Sequence, residues 1–123
     1  MTIATFSGIV KKGKGRGKDF GFPTANISLD KSIPEGIYLS KTTIYGKEHP
    51  SLTFIGIVKT FNETNYQAET YILNFDASLY DKEITIELLQ KIRENKKFES
   101  KEELVAQMEK DKQDALRFFK LSG

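Results

Sequence analysis

The first three-quarters of this 123-residue chain is a series of short segments rich in β-branched and aromatic residues, separated by glycine, proline and polar stretches. Such residues favour extended strands, and the breaks between them come too often for helices. The strand-like segments are Phe6 to Val10, Gly36 to Tyr45, Ser51 to Thr60, Gln67 to Phe75 and Glu83 to Ile92. Five or six strands at this spacing predict an antiparallel barrel.

The last quarter of the chain has a helical period instead. Ser100 with Glu103 three residues later matches a capping box at a helix start. Apolar residues then recur at roughly helical spacing at Leu104, Val105, Met108, Ala115, Leu116 and Phe119. The pattern predicts a C-terminal helix whose apolar stripe packs on the barrel. The balanced charges between Lys91 and Asp114 indicate that the other helix face is solvated.

Length and composition predict one domain, residues 1–123, that folds without metal or disulfide support. Hydrophobic residues make up 38% of the chain and the net charge is only +2, as in an ordinary globular protein. The lack of cysteine excludes disulfides, thiolate metal sites and cysteine nucleophiles. No signal-peptide pattern and no long apolar run occur, so we expect a cytoplasmic protein with no membrane partner.

The segment from Lys11 to Lys18 is the one strong charge cluster, with five lysine and arginine residues alternating with glycines. Glycines let the backbone approach a ligand closely, and exposed N–H groups together with basic side chains suit phosphate oxygens. The segment matches neither the dinucleotide fingerprint nor the Walker loop. Taken alone, it fits a phosphate site and a solvated surface loop equally well.

Thr24 and Asn26 follow this loop, two residues apart behind Pro23. In an extended backbone both side chains point to the same side. Both offer neutral oxygen, which Mg²⁺ accepts when the phosphates of a nucleotide complete its ligand set. In isolation the pair fits a polar turn at a strand entry, but beside the basic loop a site for Mg²⁺ and ATP is favoured.

The segments around this pair resemble the riboflavin kinase (flavokinase) family. The matching segments are Gly13 to Lys18, Gly21 to Ile27, Pro34, Gly36 to Tyr38, Phe54 to Gly56, Glu69 to Phe75, Leu79 and Tyr80, Lys91 to Glu94, Lys97 to Ser100 and the final helix. The resemblance implies a six-stranded antiparallel Greek-key β-barrel with a C-terminal helix packed on it. It also implies Mg²⁺-dependent transfer of the γ-phosphate of ATP to the 5′-hydroxyl of riboflavin, giving FMN and ADP.

The resemblance assigns the nucleotide site. Thr24 and Asn26 would hold Mg²⁺ and phosphate, and the glycine-rich loop would cover the phosphates of ATP. The loop residues concerned are Gly13, Gly15, Arg16 and Lys18.

Glu69 matches the family's general base for the ribityl hydroxyl. Strand alternation puts Glu69 on the more apolar face with Tyr71, Leu73 and Phe75. We expect that face to point inward, with Glu69 at the barrel mouth, where partial burial would make it a stronger base. From the residues alone an exposed strand-end glutamate is favoured, and the resemblance reverses this.

Arg93 and Phe98 match a family segment that closes over the flavin ring. Two other interpretations stay open. Arg93 is equally well a surface charge beside Glu94, and Phe98 equally well the apolar residue that docks the helix entry.

Three positions depart from the family pattern, namely Phe54, Lys59 and Asp81. Asp81 stands where relatives carry a glycine, and aspartate tolerates a positive φ better than most residues. The departures concern affinity and nucleotide preference more than the reaction.

Two other functions compete with the kinase. One is a flavin- or nucleotide-binding regulator on the same barrel without turnover. The other is a small nucleic-acid-binding barrel that uses the basic loop. We expect riboflavin, FMN, ATP and ADP as partners, no nucleic acid, and a monomer. The chain fits both a separate kinase and a domain of a bifunctional FAD synthetase.

Overall fold

The computed structural model describes residues 2–11, 24–29, 32–60, 63–75 and 79–120. Six strands and one helix form within these ranges. The strands are β1 (Ala4–Ile9), β2 (Ala25–Leu29), β3 (Gly36–Ile44), β4 (Lys47–Thr60), β5 (Glu63–Ile72) and β6 (Glu83–Arg93), and the helix is α1 (Lys101–Phe118). The predicted order of strands followed by a C-terminal helix is confirmed.

The six strands form one antiparallel sheet in the order β1-β6-β3-β4-β5-β2. Three consecutive strands, β3 to β5, pair as hairpins, and β2 lies beside β5, which is a Greek-key arrangement. The sheet curls into a nearly closed barrel. At the seam between its two edge strands, the Lys11 amide donates to the Asn26 carbonyl at 2.8 Å. The predicted Greek-key barrel is therefore confirmed.

The connections show the backbone chemistry expected of them. Tyr45 and Gly46 form the two-residue turn between β3 and β4, with φ values of 51° and 77°. Two positive φ angles match the right-handed twist of a hairpin, and glycine takes the second without steric cost. Asp81 has a φ of 67°, so the expectation of a positive φ at this position is confirmed.

Apolar side chains lie on both faces of the sheet. The barrel interior is filled by a cluster that includes Phe6, Ile27, Ile55, Ile86 and Leu88. A second cluster lies outside the barrel, where α1 packs on the sheet. It comprises Ile37, Leu39, Leu52, Leu73, Ala115 and Leu116. Strand β3 is consequently buried on both faces, by the barrel interior on one side and by α1 on the other.

Five hydroxyl groups form a chain inside the barrel across β3, β4 and β5. In order they are Thr42, Ser51, Ser40, Thr53 and Thr70, with successive oxygen–oxygen distances of 2.8, 2.7, 2.8 and 2.9 Å. All five residues are buried. A hydroxyl can donate and accept at once, so the chain gives each of these buried groups at least one partner and avoids the free-energy cost of leaving it without one.

The helix begins as the sequence predicts. The Ser100 hydroxyl accepts from the Glu103 amide at 3.1 Å, and the Glu103 carboxylate accepts from the Glu99 amide at 3.1 Å. These contacts satisfy backbone donors that have no partner within the helix. Within the described part of the chain, no helix has the length and apolar character needed to cross a membrane.

Candidate active site

Glu69 lies on the outer face of the barrel, so the prediction that its face points inward is wrong. On β5, Ala68 and Ile72 belong to the interior cluster, whereas Leu73 packs with α1. Glu69 and Tyr71 share the outer face with Leu73, as the alternation predicts. The physical reason for the error is that α1 buries this outer face, which makes both faces of β5 apolar. The prediction is also wrong for Phe75, which packs against the interior cluster because β5 ends at Ile72 and the alternation stops there.

A row of directly opposed residues crosses five strands on this outer face. The register pairs Arg93 with Ile37, Ile37 with Phe54, Phe54 with Glu69, and Glu69 with Asn26. Opposed residues in an antiparallel sheet present their side chains on the same face. Four strand spacings separate the ends of this cross-strand row, about 19 Å in all. The row therefore aligns a cationic end, an apolar middle, a carboxylate and an amide.

A pocket of about 330 Å³ lies over the row, between the sheet and the helix. Its wall joins the segments before β2 and before β3, strands β3 to β5, the end of β6 with the segment that links it to α1, and the first half of α1. The lining residues are Thr24, Glu35, Ile37, Phe54, Ile55, Gly56, Ile57, Gln67, Glu69, Arg93, Asn95, Lys96, Phe98, Leu104 and Met108. A pocket with apolar walls and a few convergent polar groups is typical of a small-molecule site.

Asn26 ends the row beside the pocket. The residue is 7% exposed, and no described residue donates a hydrogen bond to its Oδ1 atom. Thr24 has the same orientation two residues earlier and lines the pocket. A buried acceptor without a donor is costly, and a cation or a ligand donor would satisfy it. This pair therefore fits the Mg²⁺ site that the sequence predicts.

The other predicted nucleotide contacts, Gly13, Gly15, Arg16 and Lys18, lie outside the described residues. Their roles stay predictions. Of the described residues on either side of this loop, Lys11 forms a β-bridge with Asn26 and Thr24 precedes Asn26 by two residues.

Arg93 lines the pocket, and its guanidinium is held by a buried carboxylate. Its Nε donates to Asp111 Oδ1 at 2.9 Å, and its Nη2 donates to Asp111 Oδ2 at 2.6 Å. Its Nη1 donates to the Glu94 carbonyl at 3.0 Å. The Asp111 side chain is 1% exposed and that of Arg93 18%. Arg93 is thus tied to the helix rather than lying as a free surface charge beside Glu94.

The segment that follows Arg93 forms another part of the pocket wall. The Asn95 side chain donates to the Ile55 carbonyl at 3.2 Å, which fastens this segment to β4. Phe98 is partly buried and lines the pocket, with the Lys96 ammonium 5.8 Å from its ring centroid. Phe98 therefore lies at the pocket wall, and its place just before α1 also suits docking of the helix entry; its contact with a flavin stays a prediction.

Sequence reasoning missed Asp111 and Gln107, which bind the basic side chains of the pocket wall. The Gln107 side chain donates to Asp111 Oδ1 at 3.0 Å and accepts from the Lys96 ammonium at 3.4 Å. A signal was present, because Asp111 falls on the apolar helical stripe between Met108 and Ala115. A charged residue at a buried helical position requires a partner. The expectation that all the helix charges are solvated is wrong at Asp111.

Comparison with known proteins gives a consistent result. A family model described as "Flavokinase: Riboflavin kinase" matches residues 2–119. The chain is 44% identical over 122 residues to the "Trifunctional protein RibF/MnmA" of Mycoplasmoides gallisepticum, covering 97% of this chain and 19% of that protein. It is 38% identical over 118 residues to the "Bifunctional riboflavin kinase/FMN adenylyltransferase" of Bacillus subtilis, covering 91% of this chain and 37% of that protein.

A solved structure agrees with these relatives. The riboflavin kinase from Trypanosoma brucei superposes with a TM-score of 0.65 at 26% identity, covering 94% of this chain and 79% of that one. The chain spans less than two-fifths of the length of the two curated relatives named above and matches the kinase portion of the bifunctional one. With a family model matched over nearly its whole length, the chain belongs to the flavokinase (riboflavin kinase) family.

Proposed function

We propose that this domain transfers the γ-phosphate of ATP to the 5′-hydroxyl of riboflavin. The observation that carries the proposal is the cross-strand row, in which Phe54, Glu69 and Asn26 are consecutive on β4, β5 and β2. In this order, the apolar Phe54 suits the flavin ring and the Glu69 carboxylate suits the reacting ribityl hydroxyl. The Asn26 amide suits Mg²⁺ and the phosphates of the nucleotide.

The flavin ring is proposed to lie over the apolar end of the pocket. Ile37 and Phe54 supply the sheet side, and Leu104 and Met108 of α1 face them across the pocket, with Phe98 at the helix entry. Burial of a large flat ring against these side chains would provide much of the binding free energy. The ribityl chain then extends along the row toward Glu69.

Glu69 is proposed as the general base. It lines the pocket and lies directly across the strands from both Phe54 and Asn26. The hydroxyl oxygen forms a bond to the γ-phosphorus as the bond from that phosphorus to the bridging oxygen of ADP breaks. The hydroxyl proton passes to the Glu69 carboxylate. A correctly placed base contributes about 10²- to 10⁴-fold to such a step.

Thr24 and Asn26 are proposed to hold Mg²⁺ together with the phosphates. Across the described residues, no cluster of three or more histidine and acidic side chains provides a metal site. Two neutral oxygens suit a cation that takes its remaining ligands from phosphate and water. When bound, Mg²⁺ would neutralise negative charge on the phosphate oxygens.

The test is formation of FMN from riboflavin, ATP and MgCl₂, followed by chromatography, with the Glu69→Gln variant beside the wild type. Glutamine keeps the shape of the side chain but does not accept the proton. We expect turnover to fall by at least about 100-fold while riboflavin affinity changes by less than about threefold. Glu48→Gln, an equal charge change at an exposed position of β4, is the matched control and should retain wild-type turnover.

Two results would contradict the proposal. If the wild type binds riboflavin but makes no FMN with any nucleoside triphosphate, the domain is a flavin-binding regulator. If Glu69→Gln turns over at the wild-type rate, the kinase assignment stands and Glu69 is not its base.

The remaining expectations are separate predictions. A monomer is tested by light scattering, and a cytoplasmic location by fractionation of the native cells. Weak binding to polynucleotides at low salt, lost steeply as salt rises, would reveal a role for the basic loop beyond ATP.

A further inference from the structure

Two basic residues of the pocket wall are fastened to one turn of α1. Arg93 is bound by both oxygens of Asp111, and Lys96 contacts Gln107, which in turn donates to Asp111. Gln107 and Asp111 are four residues apart and so lie on the same side of the helix. The helix therefore holds the segment from Arg93 to Lys96 through a continuous polar network.

The geometry of the Arg93 guanidinium is fixed by this network. A bidentate pair with a carboxylate holds the guanidinium in one plane, because both groups are flat and two parallel hydrogen bonds join them. The Glu94 carbonyl holds Nη1 from another side. The hydrogen bonds described here use three of the five N–H groups of arginine. The orientation of the other N–H groups follows from the position of Asp111.

Arg93 also ends the cross-strand row at the apolar side, opposite Ile37. The pyrimidine edge of the isoalloxazine ring carries two carbonyl oxygens, which accept hydrogen bonds, and an imide N–H between them, which donates one. A ring lying over Ile37 and Phe54 would direct such an edge either toward Arg93 or toward Glu69. Of these two residues, Arg93 offers donors to the carbonyl oxygens, whereas the Glu69 carboxylate repels them and faces the ribityl hydroxyl.

We propose that Asp111 is a positioning residue for riboflavin. It holds the Arg93 guanidinium so that the N–H groups not used within the protein meet the polar edge of the flavin ring. This inference rests on the proposed function and extends it to a residue on α1. Asp111 does not itself line the pocket, so it acts only through Arg93.

The experiment compares Asp111→Asn with the wild type in steady-state kinetics. Asparagine keeps the size of the side chain but replaces one acceptor by a donor, so one of the two hydrogen bonds from Arg93 is lost in either orientation of the amide. We expect the KM for riboflavin to rise by roughly 10- to 100-fold, the value of losing one charge-assisted contact. The KM for ATP should change by less than about threefold, because the nucleotide residues lie at the far end of the row. Asp111→Glu should recover part of the riboflavin affinity.

Asp114→Asn is the matched control. Asp114 pairs with Arg117 on the same helix, one turn nearer the C-terminus, and the Arg117 side chain is 71% exposed. The control loses the same charge from the same helix without touching the pocket network. Its KM values for both substrates should equal those of the wild type.

A purely structural role for Asp111 would give a different result. In that case the Asp111→Asn protein would melt at a lower temperature, but its KM for riboflavin would stay at the wild-type value when assayed well below that temperature. Equal changes in both KM values would also overturn the proposal.

A second variant covers the case in which Asp111→Asn fails to fold. Replacing the pair by Arg93→Met and Asp111→Leu removes both charges together, a change that buried ion pairs often tolerate. This double variant should fold and bind riboflavin at least about 10-fold more weakly in a fluorescence titration. Wild-type affinity in the double variant would refute the positioning role. If the wild type binds riboflavin but makes no FMN, the kinase proposal fails. The role of Asp111 is still tested in that case, because the titration measures riboflavin affinity and needs no turnover.

Discussion

Replacing Asn26 by alanine should separate the stability of this domain from its nucleotide binding. Asn26 Oδ1 is buried without a donor among the described residues, which costs about 1–3 kcal/mol in the ligand-free protein. Alanine removes that cost and loses about 1 kcal/mol of side-chain packing. The free energy of unfolding should therefore stay unchanged or rise by up to about 2 kcal/mol, a Tm increase of up to about 8 °C.

Ligand binding should respond in the opposite direction. At an Mg·ATP concentration of about 100 times Kd, the ligand stabilises the wild type by about 2.7 kcal/mol. If the alanine variant binds about 100-fold more weakly, the same concentration stabilises it by only about 0.4 kcal/mol. Differential scanning calorimetry with and without Mg·ATP measures both quantities on one sample.

The control for this experiment is Ser28→Ala. Ser28 is exposed on the same face of β2, two residues after Asn26, so neither the Tm nor the Mg·ATP shift should change. The reasoning fails if ligand-free Asn26→Ala melts well below the wild type, since Oδ1 would then have a stabilising partner. It also fails if the variant keeps the full Mg·ATP shift.

Two further substitutions test the barrel itself. Burial raises the pKa of Tyr38, whose hydroxyl donates to the Pro34 carbonyl at 2.5 Å. Above about pH 10 the unfolded tyrosine loses its proton while the folded one keeps it, so wild-type stability falls as pH rises. At pH 9 the free energy of unfolding of the wild type should exceed that of Tyr38→Phe by about 1 kcal/mol in urea. This difference should shrink from pH 9 to 11, and a constant difference would contradict the reasoning. A Cβ on Gly8 would lie 2.3 Å from Ile27 Cγ2, so Gly8→Ala should lose about 1–3 kcal/mol in urea unfolding. In the control Gly56→Ala the new Cβ meets no atom within 4 Å, so its free energy of unfolding should equal that of the wild type. Equal stability of the two variants would mean that β1 and β2 are not in contact.

Features that depend on neighbouring residues could be predicted from the sequence. The helix start at Ser100 follows from local backbone chemistry, and it is confirmed. The sequence places Thr24 and Asn26 on one side of an extended backbone, and in the structure Thr24 lines the pocket while Asn26 lies beside it, opposite Glu69. In each case the determining contacts lie within a few residues along the chain.

Features that depend on distant contacts could not be predicted. Alternation grouped Glu69 with Leu73 correctly, but it did not reveal that the helix buries this outer face. Asp111 and Arg93 are 18 residues apart, and no spacing rule joins a strand end to the third turn of a helix. The cross-strand row depends on the register of five strands, which one sequence without an assembled sheet does not fix.

The chain of five hydroxyl groups in the barrel restricts how this sequence can evolve. Ser40 bonds to both Ser51 and Thr53, so an apolar replacement at Ser40 alone breaks two hydrogen bonds and leaves two separate hydroxyl pairs. Each lost hydrogen bond costs about 0.5–1.5 kcal/mol. A replacement at Thr42 or Thr70, the two ends of the chain, breaks one such bond instead of two. Lineages that descend from this sequence should therefore lose hydroxyls at the ends of the chain before those in its middle.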